Sequence, residues 1–207
     1  MDEDLSRITR VTLCDYGDRA ESFWERTRDH DVSQNIDALL RWVVPASGAR
    51  ILDLGCGPGR DLKALRLRGQ DPVGLDGCPA FVEMARAHSG CEVWLQDFLQ
   101  LALPPRAFNA IYANATLFHV PRGELPRVLS ELRASLTEQG LLFASIPRGD
   151  DVEGWSGSRY GVWHSIESWR GFLIAAGFVE LESFLRPDDL PPEERRWFAS
   201  VWRVADV

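Results

Sequence analysis

The short apolar run Ile51–Leu54 leads into D-L-G-C-G-P-G-R-D, Asp53 to Asp61, and no other stretch restricts the fold as much. Four such residues before a turn read as a buried strand. Gly55, Gly57 and Gly59, at alternate positions, let the backbone turn tightly and approach a ligand with no Cβ in the way. The helix that follows points free N–H groups at an anionic part of that ligand. A strand, a glycine turn and a helix in this order belong to an open α/β sheet, where ligands bind at the carboxyl ends of strands at the point of strand-order reversal. A dinucleotide site wants G-x-G-x-x-G. Here position 60 is Arg and the third glycine comes one residue early, which argues against a nicotinamide-dependent oxidoreductase.

From Arg50 onward, strand-like runs alternate with helical patterns. The expected strands are Ile51–Leu54, a run ending at Asp76, Cys91–Leu95, Phe108–Ala113 and Gly140–Ile146. Leu125, Val128, Leu129, Leu132 and Leu136 recur at the spacing of a one-faced helix. Ser165 is a candidate cap for a helix with Trp169, Phe172, Leu173 and Ala176 on its buried side, stopped by Gly177. Two apolar runs separated by DDLPPEE then suggest a closing antiparallel hairpin. The pattern predicts an α/β, doubly wound, mostly parallel sheet with a terminal antiparallel hairpin. Before it, Ser33 is placed as the cap of a helix carrying Ile36, Leu39, Leu40 and Val43, and an earlier helix carries Phe23 and Trp24. The expected organisation is a helical cap over residues 1–48 and one compact unit over 49–207.

Charge narrows the function. A net charge of −8 opposes nonspecific nucleic-acid binding, which needs a basic face. The one basic cluster, Arg60, Lys63, Arg66 and Arg68, reads as a solvated helix face. MDEDLSR lacks the features of a secretory signal, and no apolar run reaches the roughly 20 residues of a membrane span. Cys14, Cys56, Cys78 and Cys91 form neither C-x-x-C nor a disulfide scaffold, so the expectation is a cytoplasmic protein with reduced thiols. No His/Cys/Asp set has metal-ligand spacing, and no metal is expected. The oligomeric state is open between monomer and homodimer.

Two further strands end in carboxylates. Asp76 is placed to accept both hydroxyls of a ribose, and Gln96-Asp97-Phe98 offers a carboxylate and a ring to the edge and face of an adenine. DLGCGPGRD, then GLD, QDF and ANATLFHVP together resemble a class I, Rossmann-like S-adenosylmethionine-dependent methyltransferase of the small bacterial type, over about Arg50 to Arg203. The resemblance implies S-adenosyl-L-methionine as cofactor and S-adenosyl-L-homocysteine as product. It implies that Asp53, Gly55, Cys56, Gly57 and Gly59 hold the methionine moiety, Asp76 and Gly77 the ribose, and Asp97 and Phe98 the adenine. Ala113 and Asn114 would face the sulfonium. FWERTRDHDVSQN resembles N-terminal helices that close over the cofactor, with Arg28 either a partner for the methionine carboxylate or an exposed partner of Glu25. Asn35, in the same stretch, is placed on the acceptor side.

Methyl transfer from a sulfonium is an in-line displacement. The protein must align the reactants at about 3 Å and exclude water, and needs a base only where the acceptor loses a proton. The segment Gly149–His164 shows neither helical nor strand periodicity and lies where this fold places an acceptor lid. Trp155 and Tyr160 would wall off a small acceptor, while Arg148 and Arg159 would pair with its carboxylate. A surface loop packed on the sheet edge is the plainer alternative. His119 is the best-placed candidate base, although a loop-bridging role is more usual for such a histidine; Tyr160 and His164 are weaker catalytic candidates. Trp197 and Trp202 read as packing residues. The RDHDVSQN and RGDDVEGW segments resemble thiohistidine (ovothiol-type) methyltransferases, which would imply a histidine-derived acceptor. The expectation is therefore methylation at N, O or S of a small polar metabolite, with no nucleic-acid or membrane partner. A catalytically silent cofactor-binding module is the alternative.

Overall fold

A computed structural model describes residues 3–205. The chain runs α1 (Glu3–Asp18), α2 (Ala20–Thr27), α3 (Ser33–Leu40), β1 (Arg50–Leu54), α4 (Arg60–Leu67), β2 (Asp71–Asp76), α5 (Pro79–Ser89) and β3 (Val93–Leu95). It continues with β4 (Phe108–Asn114), α6 (Leu125–Ser135), β5 (Leu136–Pro147), β6 (Val152–Ser156), β7 (Arg159–Trp163), α7 (Ile166–Ala175), β8 (Phe178–Arg186) and β9 (Trp197–Val204). Seven strands form one sheet in the order β3-β2-β1-β4-β5-β9-β8. Its first five strands are parallel, and β9 runs antiparallel to both β5 and β8. Strand order reverses between β1 and β4, so a crevice opens at their carboxyl ends.

Alternation along the strands builds the two cores. Leu52 and Leu54 of β1 and Ile111 of β4 pack with Val128 and Leu129 of α6 and Trp169 of α7. Their neighbours Ile51, Ala110 and Tyr112 point to the other face, where they meet Ile36 and Leu39 of α3 and Leu65 of α4. Helix α3 is thus part of the second layer of the sheet, whereas α1 and α2 lie beyond it. Leu13 and Tyr16 of α1 and Phe23 of α2 pack with Phe81 at the start of α5.

Three sequence expectations need correction. The segment Gly149–His164 is a β-hairpin: β6 pairs with β7 through Gly154–Gly161 and Trp155–Tyr160, and Gly157, at φ 62°, makes its turn. Its strands are short, and both faces of β6 are largely exposed, so no period-two alternation marks it. Helix α1 is absent from the sequence reading, because its inward stripe of Leu5, Ile8, Leu13 and Tyr16 is interrupted by polar Thr12. Ser33 does not cap α3; its N–H donates to the Asp31 carboxylate at 2.9 Å, and Val32 holds the cap position. By contrast Ser165 does cap α7, accepting from the Ser168 N–H at 3.1 Å, and Gly177 ends that region at φ 82°. No helix of the described residues is long and apolar enough to cross a membrane.

Removal of the α7 cap tests this local account. Ser165→Ala should lower stability by about 1 kcal/mol, a fall of roughly 3 °C in the circular-dichroism melting temperature of a chain this size. An unchanged melting temperature would show that the cap is without effect.

Candidate functional site

A cavity of about 890 Å³ occupies the crevice, floored by the carboxyl ends of β1, β2 and β4 and roofed by α1 and α2. The glycine turn makes the floor possible. Gly55 (φ 71°) and Gly59 (φ 92°) hold left-handed backbone, and a Cβ on them would lie 2.5 Å from Thr116 and 2.7 Å from the Ala85 backbone. Gly57 donates its N–H to Asp76 Oδ2 at 2.9 Å, and Cys78 donates to Oδ1 at 2.8 Å. These bonds tie the turn to the tip of β2. Burial nevertheless lifts the Asp76 pKa to about 6, against the pull of those N–H groups.

Asp53 is more strongly perturbed. Its carboxyl is buried, Oδ2 has no hydrogen-bond partner among the described residues, and burial followed by the Asp61 charge raises its pKa. Beside it runs a polar chain. Asn114 Nδ2 donates to Asp61 Oδ2 at 2.9 Å, while Asn114 Oδ1 accepts from Asn35 Nδ2 at 3.0 Å and Ser145 Oγ at 2.8 Å. Asn35 Oδ1 is buried and has no hydrogen-bond partner among the described residues. Arg60 completes the group, its Nε donating to Asp61 at 2.6 Å and its Nη1 to the Thr27 carbonyl at 2.8 Å. One network therefore links α2, α3, α4, β4 and β5. At the end of β3, Asp97 accepts from the Leu99 N–H at 2.9 Å, and both Asp97 and Phe98 face the cavity.

The roof centres on Tyr16. Its ring packs edge-on to Phe23, and its hydroxyl lies 2.8 Å from His119 Nε2. His119 Nδ1 lies 2.6 Å from the Tyr160 carbonyl, which can only accept, so Nδ1 carries the proton. Burial, reinforced by the Arg159 charge against the Tyr160 bond, depresses the His119 pKa to about 4. The neutral ring accepts from Tyr16 at Nε2. Both nitrogens are engaged, one with α1 and the other with the hairpin. Arg159 lies 3.9 Å over the Tyr16 ring and donates Nε to buried Asp15 at 2.7 Å.

Of the sequence-predicted residues, Asn35, Asp53, Gly55, Cys56, Gly57 and Asp76 line this cavity. So do Gly77, Asp97, Phe98, Asn114, His119 and Arg159, while Gly59 shapes the turn from behind. Five others are elsewhere. Arg28 is half exposed and paired with Asp29 at 3.3 Å rather than with Glu25. Arg148 donates to the carbonyls of Pro192 and Arg195 at 3.0 and 2.8 Å. Trp155 is 42% exposed and packs edge-on against Tyr160. The Tyr160 hydroxyl donates to Glu153 at 2.9 Å, on the far side of β7 from Arg159. His164 is fully buried beside Trp169 and Phe172, with Nδ1 4.0 Å from the Asp151 carboxylate and neither ring nitrogen hydrogen-bonded among the described residues. The basic cluster is no uniform solvated face either: Arg60 turns into the cavity, and Arg66 donates to the Ser89 carbonyl at 2.7 Å. Sequence reasoning missed Tyr16, Asp61, Phe81, Thr116, Phe118 and the wall position of Trp197. The last residue of D-L-G-C-G-P-G-R-D was the available signal for Asp61.

Comparison with known proteins agrees with this geometry. The family described as methyltransferase domain matches residues 51–140, which span β1 to the early part of β5. Residues 51–140 carry a methyltransferase domain, within a fold of the class I S-adenosylmethionine-dependent methyltransferase type. This methyltransferase is 24% identical to a ubiquinone biosynthesis O-methyltransferase of Stutzerimonas stutzeri, over 90% of this chain and 81% of that protein. It is 35% identical to a trans-aconitate 2-methyltransferase of Methylobacterium radiotolerans, over 58% of this chain and only 47% of the relative. Among solved structures it shares its fold with the 1,6-didemethyltoxoflavin-N1-methyltransferase of Burkholderia thailandensis, bound to 1,6-didemethyltoxoflavin and S-adenosylhomocysteine. That match has a TM-score of 0.76 at 19% identity, covering 95% of this chain and 88% of the other. A S-adenosylmethionine-dependent methyltransferase of Mesorhizobium loti matches at TM-score 0.66 and 21% identity, over 80% of this chain and 95% of the other.

The state of His119 can be read directly by nitrogen NMR. At pH 7 the ring should be neutral with its proton on Nδ1, and it should not titrate between pH 8 and about 5.5. A midpoint near the ordinary histidine value would overturn the assigned hydrogen-bond directions.

Proposed function

We propose that the protein transfers the methyl group of S-adenosylmethionine to a small-molecule acceptor bound under α1 and α2. The carrying observation is the pair of buried acceptor atoms without hydrogen-bond partners among the described residues, Asp53 Oδ2 and Asn35 Oδ1, on a cavity floored by a glycine turn. An unmet buried acceptor is costly, and an ammonium or hydroxyl donor from a ligand relieves it. The donor set fits the cofactor. Asp53 meets the ammonium of its methionine end, Asp76 accepts from the ribose hydroxyls through its remaining lone pairs, and Asp97 and Phe98 take the adenine edge and face. Arg60 replaces Arg28 as partner of the methionine carboxylate: two of its nitrogens are held by Asp61 and Thr27, and Nη2 remains for the ligand. Asp53, Asp61, Asp76 and Asp97 together favour a ligand bearing positive charge.

When bound, the cofactor supplies an electrophilic methyl group that needs no further activation. The chain's own tasks are then alignment and exclusion of water. Leu13 of α1 fills the space a side chain at Gly77 would need, about 3.0 Å from that Cβ position, and closes the cavity from above. The acceptor meets Phe118, His119, Arg159 and Trp197 along with α1. The histidine-derived acceptor implied by the thiohistidine resemblance would suit an arginine-bearing aromatic lid; of that lid Arg159 lines the cavity, and Arg148 and Trp155 do not. Of the relatives named above, one is designated an O-methyltransferase of ubiquinone biosynthesis, one a trans-aconitate 2-methyltransferase and one a 1,6-didemethyltoxoflavin-N1-methyltransferase.

Titration calorimetry tests the cofactor assignment. Asp76 loses its charge as pH falls through about 6. S-adenosylmethionine affinity should therefore drop about tenfold from pH 7 to pH 5, and Asp76→Ala should weaken it by about a hundredfold at pH 7. Equal affinity in wild type and variant would remove Asp76 from the site.

A further inference from the structure

Tyr16, in the helix the sequence reading missed, presents its hydroxyl to the cavity in one fixed sense. His119 Nδ1–H is committed to the Tyr160 carbonyl, so His119 Nε2 must accept and Tyr16 must donate to it at 2.8 Å. The lone pairs of the Tyr16 oxygen remain for a donor on a ligand. Arg159 adds positive charge 3.9 Å above the ring and is itself anchored by Asp15 at 2.7 Å. Phe118, tilted against His119 at a ring separation of 4.0 Å, and Trp197, edge-on to Phe118 at 6.2 Å, give flat apolar walls to the same part of the cavity.

We propose that Tyr16 is a catalytic residue that takes the proton of a phenol-type hydroxyl on a planar acceptor and passes its own to His119. The proposal rests on the methyltransferase reading above. Atoms and charge balance as follows. The acceptor oxygen forms the new bond to the methyl carbon, and the carbon–sulfur bond breaks with its electron pair remaining on sulfur. The hydroxyl proton moves to Tyr16 Oη while the Tyr16 proton moves to His119 Nε2. One positive charge leaves the sulfur and one arrives on the imidazole, so the net charge of the enclosed cavity is unchanged. The proton is lost to water when the product departs.

The same groups select the acceptor. A histidine held neutral by burial is a weak base. It suits a hydroxyl acidified by an aromatic ring and not an alkyl alcohol. The Arg159 charge disfavours a protonated amine at this position, and the apolar walls favour a ring.

Tyr16→Phe keeps the ring contacts with Phe23, Phe81 and Arg159, so it should fold and bind S-adenosylhomocysteine with unchanged affinity. With catechol as probe acceptor and labelled S-adenosylmethionine, the wild type should form methylated catechol. In Tyr16→Phe, kcat should fall about a hundredfold with KM for catechol within a few-fold. The wild-type reaction should also show a solvent deuterium effect on kcat that the variant loses. Binding of S-adenosylhomocysteine without any methylation of catechol would overturn the proposal while sparing the cofactor site. So would an undiminished kcat in the variant. Failure to bind S-adenosylhomocysteine at all would instead refute the underlying methyltransferase reading.

Discussion

Carboxylates gathered at the ends of parallel strands impose the constraint to which the rest of the structure answers. Asp53, Asp61 and Asp76 are each less than 10% exposed, and burial pushes the first and last of them toward protonation. Buried carboxylates raise one another's pKa and destabilise a fold unless something meets their charge. Arg60 and the N–H groups of Gly57 and Cys78 meet part of the charge. Asp53 Oδ2 has no hydrogen-bond partner among the described residues, and under the proposed function it is the acceptor offered to a cationic ligand. The glycine turn follows from the same constraint, since only a backbone without side chains passes between these groups and Thr116.

The roof answers to the floor. An open carboxylate cluster would stay hydrated, and its interactions with a ligand would be weak. Helices α1 and α2 cover it with Leu13, Tyr16 and Phe23, which pack on Phe81 of α5. Polar links cross from this roof to the body of the fold: Tyr16 to His119, the Thr27 carbonyl to Arg60, and Asp15 to Arg159 of the hairpin. The hairpin holds the roof in place through Arg159 and through Thr12, which accepts from the Tyr160 N–H at 3.0 Å. Its part is support, with Arg159 alone among its side chains reaching the cavity wall.

Much of this was legible in the chain. Parallel strands buried on both faces announce themselves as apolar runs, and the glycine turn and terminal carboxylates follow them at readable spacing. Those features announce the sheet, its closing hairpin and the residues from Asp53 to Asn114 that line the cavity. The remainder depends on direction, which spacing does not carry. Arg28 and Arg60 are both plausible carboxylate partners on paper, but α2 turns one outward and the start of α4 turns the other inward. Tyr160 and Arg159 are adjacent, and a strand sends adjacent side chains to opposite faces, so they could not both serve one cavity. Tyr16 escaped notice because polar Thr12 interrupts the inward stripe of its helix, and its partner His119 lies 103 positions away.

The most direct test of the central claim is the melting temperature of the pure protein with and without S-adenosylmethionine, for the wild type and for Asp53→Ala. At about one hundred times the dissociation constant, a ligand that binds only the folded state adds about 2.7 kcal/mol, or roughly 5–10 °C here. The account predicts that rise in the wild type and its loss in the variant. No rise in the wild type, or an equal rise in both proteins, would contradict it.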